Sequence, residues 1–511
     1  MRKSNHRLIL TAIMILMTQG IAVMAQQNDK ILHLAKSKGK VYELLEMLTK
    51  KTGKMFIYDS DVIDNEKKAK IDKGDYTLEQ AVETIIGDEN LSLKNIGSHV
   101  LIGKQTDEKK PEAVKAYAGY SVLEGKIIDI GTRNPIGNVS VSIKGTTIGS
   151  VANGNGDYRL SIPDSMNHQQ VVFSHIGYQT KEVAAEVLRQ QRCTIELQEY
   201  VTTLQEIVIR MTNPLLLLRE MQKHKKDNYP ETPYHETTFY REGVENNNRF
   251  VRLSEGVFDI YKPQYFSHES EQVKLLKKRD ISLKYNKDSI VAKIKAGIEA
   301  CMMLDVINST PDFMELPNDL YNYFSTGITA IDNRTANTVY FEQKLGVNEP
   351  LSCGELFVDA DNYALLGAKF EINPRYVASA TDMFVAKKGK GISITPQKIA
   401  YNLSYKQIGG RYYINYVRGD LDFKIKRAHR LFGSSHTHIW FEMATCNIDT
   451  TNVAKFNKSE LISKTTIFDE TNYTYDVDFW ENMNVIPMEN NISESIGKIA
   501  LKVEEMLGTE K

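Results

Sequence analysis

The chain has 511 residues, 41% of them hydrophobic and 25% charged, and its 64 Lys and Arg against 65 Asp and Glu give a formal net charge of −1. That balance argues against a nucleic-acid partner, which needs a basic face, and the length allows three or more globular domains. Four widely spaced cysteines, Cys193, Cys301, Cys353 and Cys446, form no CxxC pair; this argues against a zinc site or a dense disulfide scaffold and favours buried free thiols, although an exported chain could pair two of them.

Residues 1–25 place Arg2, Lys3 and Arg7 ahead of an apolar run from Leu8 to Met17 and close on Val23-Met24-Ala25, the layout of a cleavable secretory signal. A retained anchor needs about 20 apolar residues, and Thr18-Gln19-Gly20 interrupts this run. No cysteine follows the cleavage site, so a lipid anchor is not expected. Cleavage removes three positive charges and leaves a mature chain near −4, expected to have no transmembrane helix.

Residues 30–104 build one pattern twice. After a short strand at Ile31 to Ala35, Val41, Leu44, Leu45 and Leu48 recur at helical spacing, Gly53 ends the helix, and Met55 to Tyr58 reads as a strand. Thr77 with Gln80 forms a capping box, Leu78, Ala81, Val82, Ile85 and Ile86 supply the apolar stripe, and Gly87 stops it before strands at Leu91 to Lys94 and His99 to Ile102. His33 and His99 read as core or edge histidines. The runs Lys40-Val41-Tyr42-Glu43-Leu44-Leu45, Phe56-Ile57-Tyr58 and Tyr76-Thr77-Leu78-Glu79-Gln80-Ala81-Val82 resemble the secretin and TonB short N-terminal domain. The resemblance implies a periplasmic module that makes protein contacts, with a TonB-dependent receptor, a secretin or an anti-sigma regulator as partner.

A charged, aperiodic linker follows at residues 105–120. In residues 121–198 the period becomes two, with Val139, Val141 and Ile143 alternating with Ser140, Ser142 and Lys144, so a small antiparallel β-sandwich is expected. Its turn residues are Pro135, Gly145, Gly149, Gly154, Gly156, Asp157 and Gly177. Asn153, Asn155 and Asp157 have a spacing that could serve calcium, but no later EF-hand glutamate follows, and a tight turn is the better reading. Gly125-Lys126-Ile127-Ile128-Asp129, Ile143-Lys144-Gly145-Thr146, Gly156-Asp157-Tyr158 and Ser174-His175-Ile176-Gly177-Tyr178 resemble the carboxypeptidase regulatory-like domain. That resemblance implies a noncatalytic sandwich; its expected role here is a rigid spacer.

Residues 199–212 form a second linker, in which Thr203 to Ile209 looks like the lead-in to a TonB-dependent receptor plug. The roughly 300 residues that follow are too few for a plug and a 22-stranded barrel, and the chain closes on a polar helical tail from Ile492 to Lys511. Residues 213–511 read as a β-rich α+β domain. Pro214 to Lys226 is a helix with Leu215, Leu218 and Met221 on one face. Strands are expected at Thr237 to Arg241, Phe250 to Tyr261, Thr338 to Gln343, Gly354 to Ile372, Ile399 to Val417, Leu421 to Lys426 and His438 to Met443, with turns at Asp359-Ala360-Asp361-Asn362 and Gly409-Gly410. Ile290 to Leu304 and Met314 to Tyr323 read as helical. The hairpin around Cys353 to Ile372 is loosely similar to the sheets of periplasmic lipoprotein carriers.

The whole is thus a multidomain α+β chain: a two-helix α/β module, a sandwich and a β-rich domain. No HExxH, GxSxG or phosphate-binding glycine loop occurs, so no catalytic residue, cofactor or metal is assigned. His436 and His438 share a strand face near His429 and are the weak metal candidates, Asp359 and Asp361 read as a solvated hairpin tip, and Trp440 and Trp480 as core anchors. The functional expectation is a nonenzymatic envelope protein, periplasmic or associated with the outer membrane, that docks through its first module and binds a ligand with its last. The alternatives are a lipid or outer-membrane-protein carrier, and a hydrolase.

Overall fold

The computed structural model describes residues 31–58, 63–64, 66–88, 90–96, 99–104, 116–117, 119–200, 213–282, 293–294, 297–387, 391–427, 434–464, 480–490 and 492. The signal, the plug-like segment, His429, most of both linkers and the tail beyond Ile492 lie outside them. The chain divides into two compact units, Met1–Lys109 and Lys110–Lys511.

In the first unit, β1 (Leu32–Leu34) pairs with β5 (Gly74–Tyr76), β2 (Ser37–Lys40) pairs with β4 (Lys68–Ile71), and a three-stranded sheet runs in the order β3 (Met55–Tyr58), β7 (His99–Lys104), β6 (Leu91–Ile96). Helix α1 (Val41–Thr52) buries Val41, Leu44, Leu45 and Leu48 and stops at Gly53, whose φ of 71° suits glycine. Helix α2 (Leu78–Ile86) begins at a reciprocal box in which Thr77 N–H donates to Gln80 Oε1 (3.0 Å) and Gln80 N–H to Thr77 Oγ1 (3.2 Å). Both helices bury their stripes in one core with Leu34, Tyr58, Val100 and Ile102. His99 is buried in that unit, whereas His33 lies on its surface, 2.5 Å from Asp75.

The second unit opens with the sandwich: β8 (Ala116–Tyr117), β9 (Tyr120–Asp129), β10 (Ser140–Ile143), β11 (Gly149–Val151), β12 (Asp157–Pro163), β13 (Gln170–Ser174), β14 (Lys181–Ala184), helix α3 (Ala185–Leu188) and β15 (Cys193–Leu197). One sheet has the order β11-β10-β13-β14 and the other β12-β9-β15, with β8 beside β9. Leu123, Ile127, Val141, Ile143, Leu160, Ile162 and Phe173 fill the space between them. The sandwich is not wholly antiparallel, because β15 runs parallel to β9: the chain leaves β14 in one sheet and crosses by α3 to the other, where β15 lies alongside β9. Gly145, Gly156 and Gly177 hold left-handed φ values of 72°, 76° and 86°. Gly154 lies in the same turn as Gly156, and Pro135 bridges to Ile128. Two of the expected turn residues are strand residues: Gly149 starts β11 opposite Ser142, and Asp157 starts β12 opposite Lys126 while its carboxylate holds Arg192 at 2.6 Å.

The rest of the second unit is built on one eleven-stranded antiparallel sheet. Its strands are β16 (Tyr234–Asn246), β17 (Arg249–Lys262), β18 (Gln272–Ser282), β20 (Tyr321–Ile331), β21 (Arg334–Gln343), β22 (Ser352–Asp359), β23 (Leu365–Ile372), β25 (Ile392–Ile408), β26 (Arg411–Arg427), β27 (Ser434–Asp449) and β28 (Leu461–Ile462); β19 (Lys293–Ile294) and β24 (Val385–Lys387) pair separately. The order is β20-β21-β22-β23-β25-β26-β27-β16-β17-β18-β28. The described residues are therefore mostly β, and the helices of this region cover one sheet face. Helices α4 (Pro214–Lys223), α6 (Ile298–Met303) and α7 (Val306–Ser309), with the short α5 (Lys225–Asn228) between the first two, bring Leu217, Leu218, Met221, Cys301, Met302 and Ile307 against Tyr240, Phe258, Phe341, Leu356 and Phe423.

Several expectations change here. Leu215 is exposed and Leu217 takes its place in the core, since α4 sits with Leu217, Leu218 and Met221 inward. Met314 to Tyr323 is no helix: a 3-10 turn at Asp312–Met314 leads to β20, which starts at Tyr321. Leu421 to Lys426 continues β26, which runs unbroken from the Gly409-Gly410 turn. Asp359 is completely buried rather than solvated, paired with Arg334 and accepting the N–H groups of Asp361 (2.8 Å) and Asn362 (3.0 Å). All four cysteines are buried free thiols.

The sandwich does not stand off as a spacer. It packs on the sheet face opposite the helices, and the segment 480–490 wedges between the two. Val151 shares a core with Phe239, Val257, Tyr416, Cys446, Trp480, Val485 and Ile486. Polar contacts reinforce the joint: Thr147 Oγ1 to Asn447 Oδ1 (2.6 Å), Ser150 Oγ to the Val485 carbonyl (3.1 Å), Arg159 to the Glu481 carbonyl (2.5 Å), and Ser161 N–H to Asn484 Oδ1 (2.6 Å).

Candidate functional site

The sequence candidates do not converge. His436 and His438 share one face of β27, but each faces its own carboxylate: His436 Nε2 is 3.6 Å from Asp422, and His438 Nε2 is 3.3 Å from Asp420. Among the described residues no three His, Cys, Asp or Glu side chains could hold a metal together. Asn153 is a turn device, its Oδ1 accepting the N–H groups of Asn155 (3.0 Å) and Asp157 (2.9 Å), while its amide donates to the carbonyls of Pro487 and Met488 (both 3.3 Å).

His438 ends a larger array on the sandwich-facing side of the sheet. Strand register places Arg279, Glu255, Arg241, Glu442 and Arg418 directly side by side on five consecutive strands, so charges alternate across the sheet, the favourable arrangement for cross-strand pairs. Arg241 is 1% exposed. Its Nε donates to Glu442 Oε1 (3.0 Å), its Nη1 lies 3.7 Å from Glu255, and its remaining donors reach the carbonyls of Ile486 (3.1 Å) and Pro487 (3.2 Å). Arg279 pairs with Glu255. Arg418 grips Asp420 by two bonds (2.9 and 3.0 Å) and approaches Glu442 at 3.5 Å. Burial opposes ionisation of Asp420, but hydrogen bonds from His438 and Arg418 outweigh it and hold its carboxyl well below the usual range; the same bond raises His438. The Trp440 ring lies between the guanidinium groups of Arg241 (5.8 Å) and Arg418 (5.2 Å), and Trp480 lies 5.2 Å from that of Arg279.

Beside this array a cavity of about 30 Å³ opens at the seam of sandwich and sheet. Ser174 and His175 of the sandwich face Asp332, Lys369, Ser404 and Lys406 of the sheet across it. The walls are fixed by Gly177 N–H donating to the Ala330 carbonyl (2.9 Å) and by Asp332 N–H donating to Ser174 Oγ (3.3 Å). Burial, with the positive charge of Lys369 adding to it, lowers His175 to about 4, so its ring is neutral at pH 7. Its Nδ1 sits 2.8 Å from the Ile176 carbonyl, which makes Nδ1 the protonated nitrogen and leaves Nε2 as an acceptor. Lys406 is half-buried and Lys369 exposed; partial desolvation lowers both, opposed by Glu355 at Lys369 and by Asp332 at Lys406.

Under the helices, on the other face, Lys262 is buried with Glu271 (3.9 Å) and Asp305 (4.0 Å), and Asp305 accepts from Tyr265 (2.7 Å) and Tyr405 (2.8 Å). Burial raises Glu236 beside them, with Lys262 opposing. Sequence reading named none of these residues for a site, nor Arg241, Lys369 or Lys406. The available signal was phase: Arg241 lies two residues from Phe239, and Glu442 two from Trp440, so each charge shares a strand face with a large aromatic.

Residues 123–209 match the family model of the CarboxypepD_reg-like domain. Nothing among the comparisons adds to the resemblance of residues 30–104 to the secretin and TonB short N-terminal domain. No curated protein matches the chain. Among solved structures, a DUF1329 family protein from Desulfovibrio piger is similar at 12% identity over 49% of this chain and 100% of its own, with a TM-score of 0.22. A LolA superfamily protein from Nitrosomonas europaea is similar at 10% identity (48% and 96% covered, TM-score 0.18), and an outer-membrane lipoprotein-sorting protein domain from Vibrio parahaemolyticus at 12% (48% and 96%, TM-score 0.21). At these scores the likenesses carry no functional argument. No helix among the described residues is long and apolar enough to cross a membrane.

Proposed function

We propose that the protein is an exported, nonenzymatic cell-envelope protein that docks to a protein partner through residues 31–104, with the sandwich and the large sheet acting as the single body so positioned. The supporting observation is the division of the chain: the first unit has its own closed core, separate from that of the second, and a charged stretch joins them. A module of that kind can be recognised without disturbing the rest. The resemblance of this module to secretin and TonB short N-terminal domains favours a TonB-dependent receptor, a secretin or an anti-sigma regulator as partner. In-cell crosslinking of the tagged mature protein tests it. Crosslinks to an envelope protein should map to residues 31–104 and disappear when those residues are deleted; crosslinks that survive the deletion undiminished refute docking by this unit.

A second reading, a lipid or outer-membrane-protein carrier, is favoured by one arrangement. The apolar face of the sheet is covered by short helices rather than by a second sheet, and displacing α6 and α7 would bare an apolar surface. Native mass spectrometry of protein recovered from cells decides it, since a carrier retains a bound lipid mass and a docking protein does not.

A further inference from the structure

The seam cavity has a composition that neither docking nor sheet stability requires. Lys369 and Lys406 reach it from β23 and β25. Neither makes a hydrogen bond or an ion pair within 4.0 Å among the described residues, although Lys369 has Phe357 within 6.0 Å. Two arginines of this face are paired by contrast, Arg418 with Asp420 and Arg241 with Glu442. The neutral groups add donors. Ser174 accepts from Asp332 N–H and Ser404 accepts from the Asn415 amide (3.3 Å), so both hydroxyl protons are free to turn into the cavity. Each lysine has one carboxylate near it, Glu355 opposite Lys369 on β22 and Asp332 beside Lys406, and neither carboxylate closes to ion-pair distance. His175 is neutral and presents an acceptor. Two cations and two hydroxyl donors around a compact space, walled by rigid backbone contacts, match an anionic group of two or three oxygens.

We propose that this seam binds a small oxyanion, a carboxylate or phosphate group, between the Lys369 and Lys406 ammonium groups, with Ser174 and Ser404 donating to its oxygens. The cavity has room for about two water-sized oxygens, so it takes the nearest oxygens of the anion and leaves the rest of the ligand outside. Because the walls come from both the sandwich and the sheet, occupancy tightens their junction. The inference goes beyond the docking reading and does not depend on it.

The test uses the full mature protein with inorganic phosphate and with malonate, at ionic strength held constant with chloride, followed by isothermal titration and by thermal unfolding. At least one anion is expected to bind saturably and raise the unfolding midpoint; phosphate alone identifies a phosphate site, malonate alone a carboxylate site. Lys369→Gln with Lys406→Gln should weaken that binding at least about tenfold. A wild type that responds to neither anion, or a double variant that responds equally, overturns the proposal. Should the double variant fail to fold, amine-reactive footprinting of the wild type replaces it. The bound anion should slow modification of Lys369 and Lys406 at least about fivefold relative to the exposed Lys38, and unchanged rates at both lysines refute the site.

Discussion

Replacing Arg241 by methionine keeps most of the side-chain volume and removes the central charge of the row. Glu442 and Glu255 then lose their shared cation, and the carbonyls of Ile486 and Pro487 lose their donors. Removing one partner of a buried ion pair costs about 3–5 kcal/mol. Each carboxylate keeps a second cation, Arg279 for Glu255 and Arg418 for Glu442, which places the expected loss near the lower end, about 3 kcal/mol. Urea unfolding followed by tryptophan emission reads this locally. The chain has two tryptophans, Trp440 and Trp480, both buried and both against guanidinium groups of the row, and the first unit contributes no signal. Adding Glu442→Leu to Arg241→Met restores the charge balance and should recover about 1 kcal/mol or more. A loss below about 1 kcal/mol for the single variant, or a double variant less stable than the single, would refute the view that the row is a tightly coupled charge array.

Other outcomes follow from local geometry. Because His175 titrates near 4 in the folded protein and near 6.5 when unfolded, the unfolded chain takes up the proton first, and stability falls as pH drops from about 6.5 to about 4. The full shift corresponds to about 3 kcal/mol, reduced to about 1–2 by the partial exposure of the ring; His175→Gln should flatten this part of the profile, and identical profiles would remove His175 as its cause. Gly156→Ala should lower the unfolding midpoint far more than Gly145→Ala, since both have left-handed φ but a Cβ at Gly156 would overlap the Ile127 carbonyl, whereas Gly145 has open space around it; equal losses would show that the turn relaxes. The thiols should resist a thiol reagent at pH 8 while folded, burial having pushed Cys353 up to about 11 and Cys446 to about 12, and four per chain should react in denaturant without reductant. A count below four would mean a disulfide.

The first unit was largely legible because its signals are local. The Thr77–Gln80 box and the glycines at 53 and 87 act within one or two turns of helix, and the structure places them at the helix ends. Strands β2, β4 and β5 were missed because Lys68-Ala69-Lys70-Ile71 and its neighbours are polar and pair at the rim, where no apolar face imposes alternation. In the large sheet, β18 and β20 escaped for the same reason, Gln272 to Ser282 being lysine-rich and Tyr321 to Ile331 half-exposed. The parallel pairing of β15 could not be read, since strand direction depends on where a crossover lands. The charge row was hidden more deeply: Arg241 and Glu442 are 201 residues apart, and only the register of five strands brings the charges into line. His175 and its cavity were equally out of reach, because the facing wall comes from residues 332 to 406.

The segment from Trp480 to Asn490 makes these remote pieces interdependent. Asn484 supplies Ser161 with both a donor and an acceptor, its Oδ1 taking the Ser161 N–H (2.6 Å) and its Nδ2 giving to the Ser161 carbonyl (3.2 Å), as a neighbouring strand would on the open side of β12. Two and three residues later the same segment gives its carbonyls to Arg241. The sandwich edge and the charge row are thus held by opposite ends of a few residues of chain. Asn484→Ala alone should cost about 1–2 kcal/mol for the lost pair. If the segment is released as one piece, Arg241→Met already removes much of what Asn484 holds, and the double variant should lose less than the sum by about 0.5 kcal/mol or more. Additivity to within about 0.3 kcal/mol would mean instead that the segment is anchored independently at each end, and that the sandwich stays on the sheet through its direct contacts at Thr147, Ser174 and Gly177.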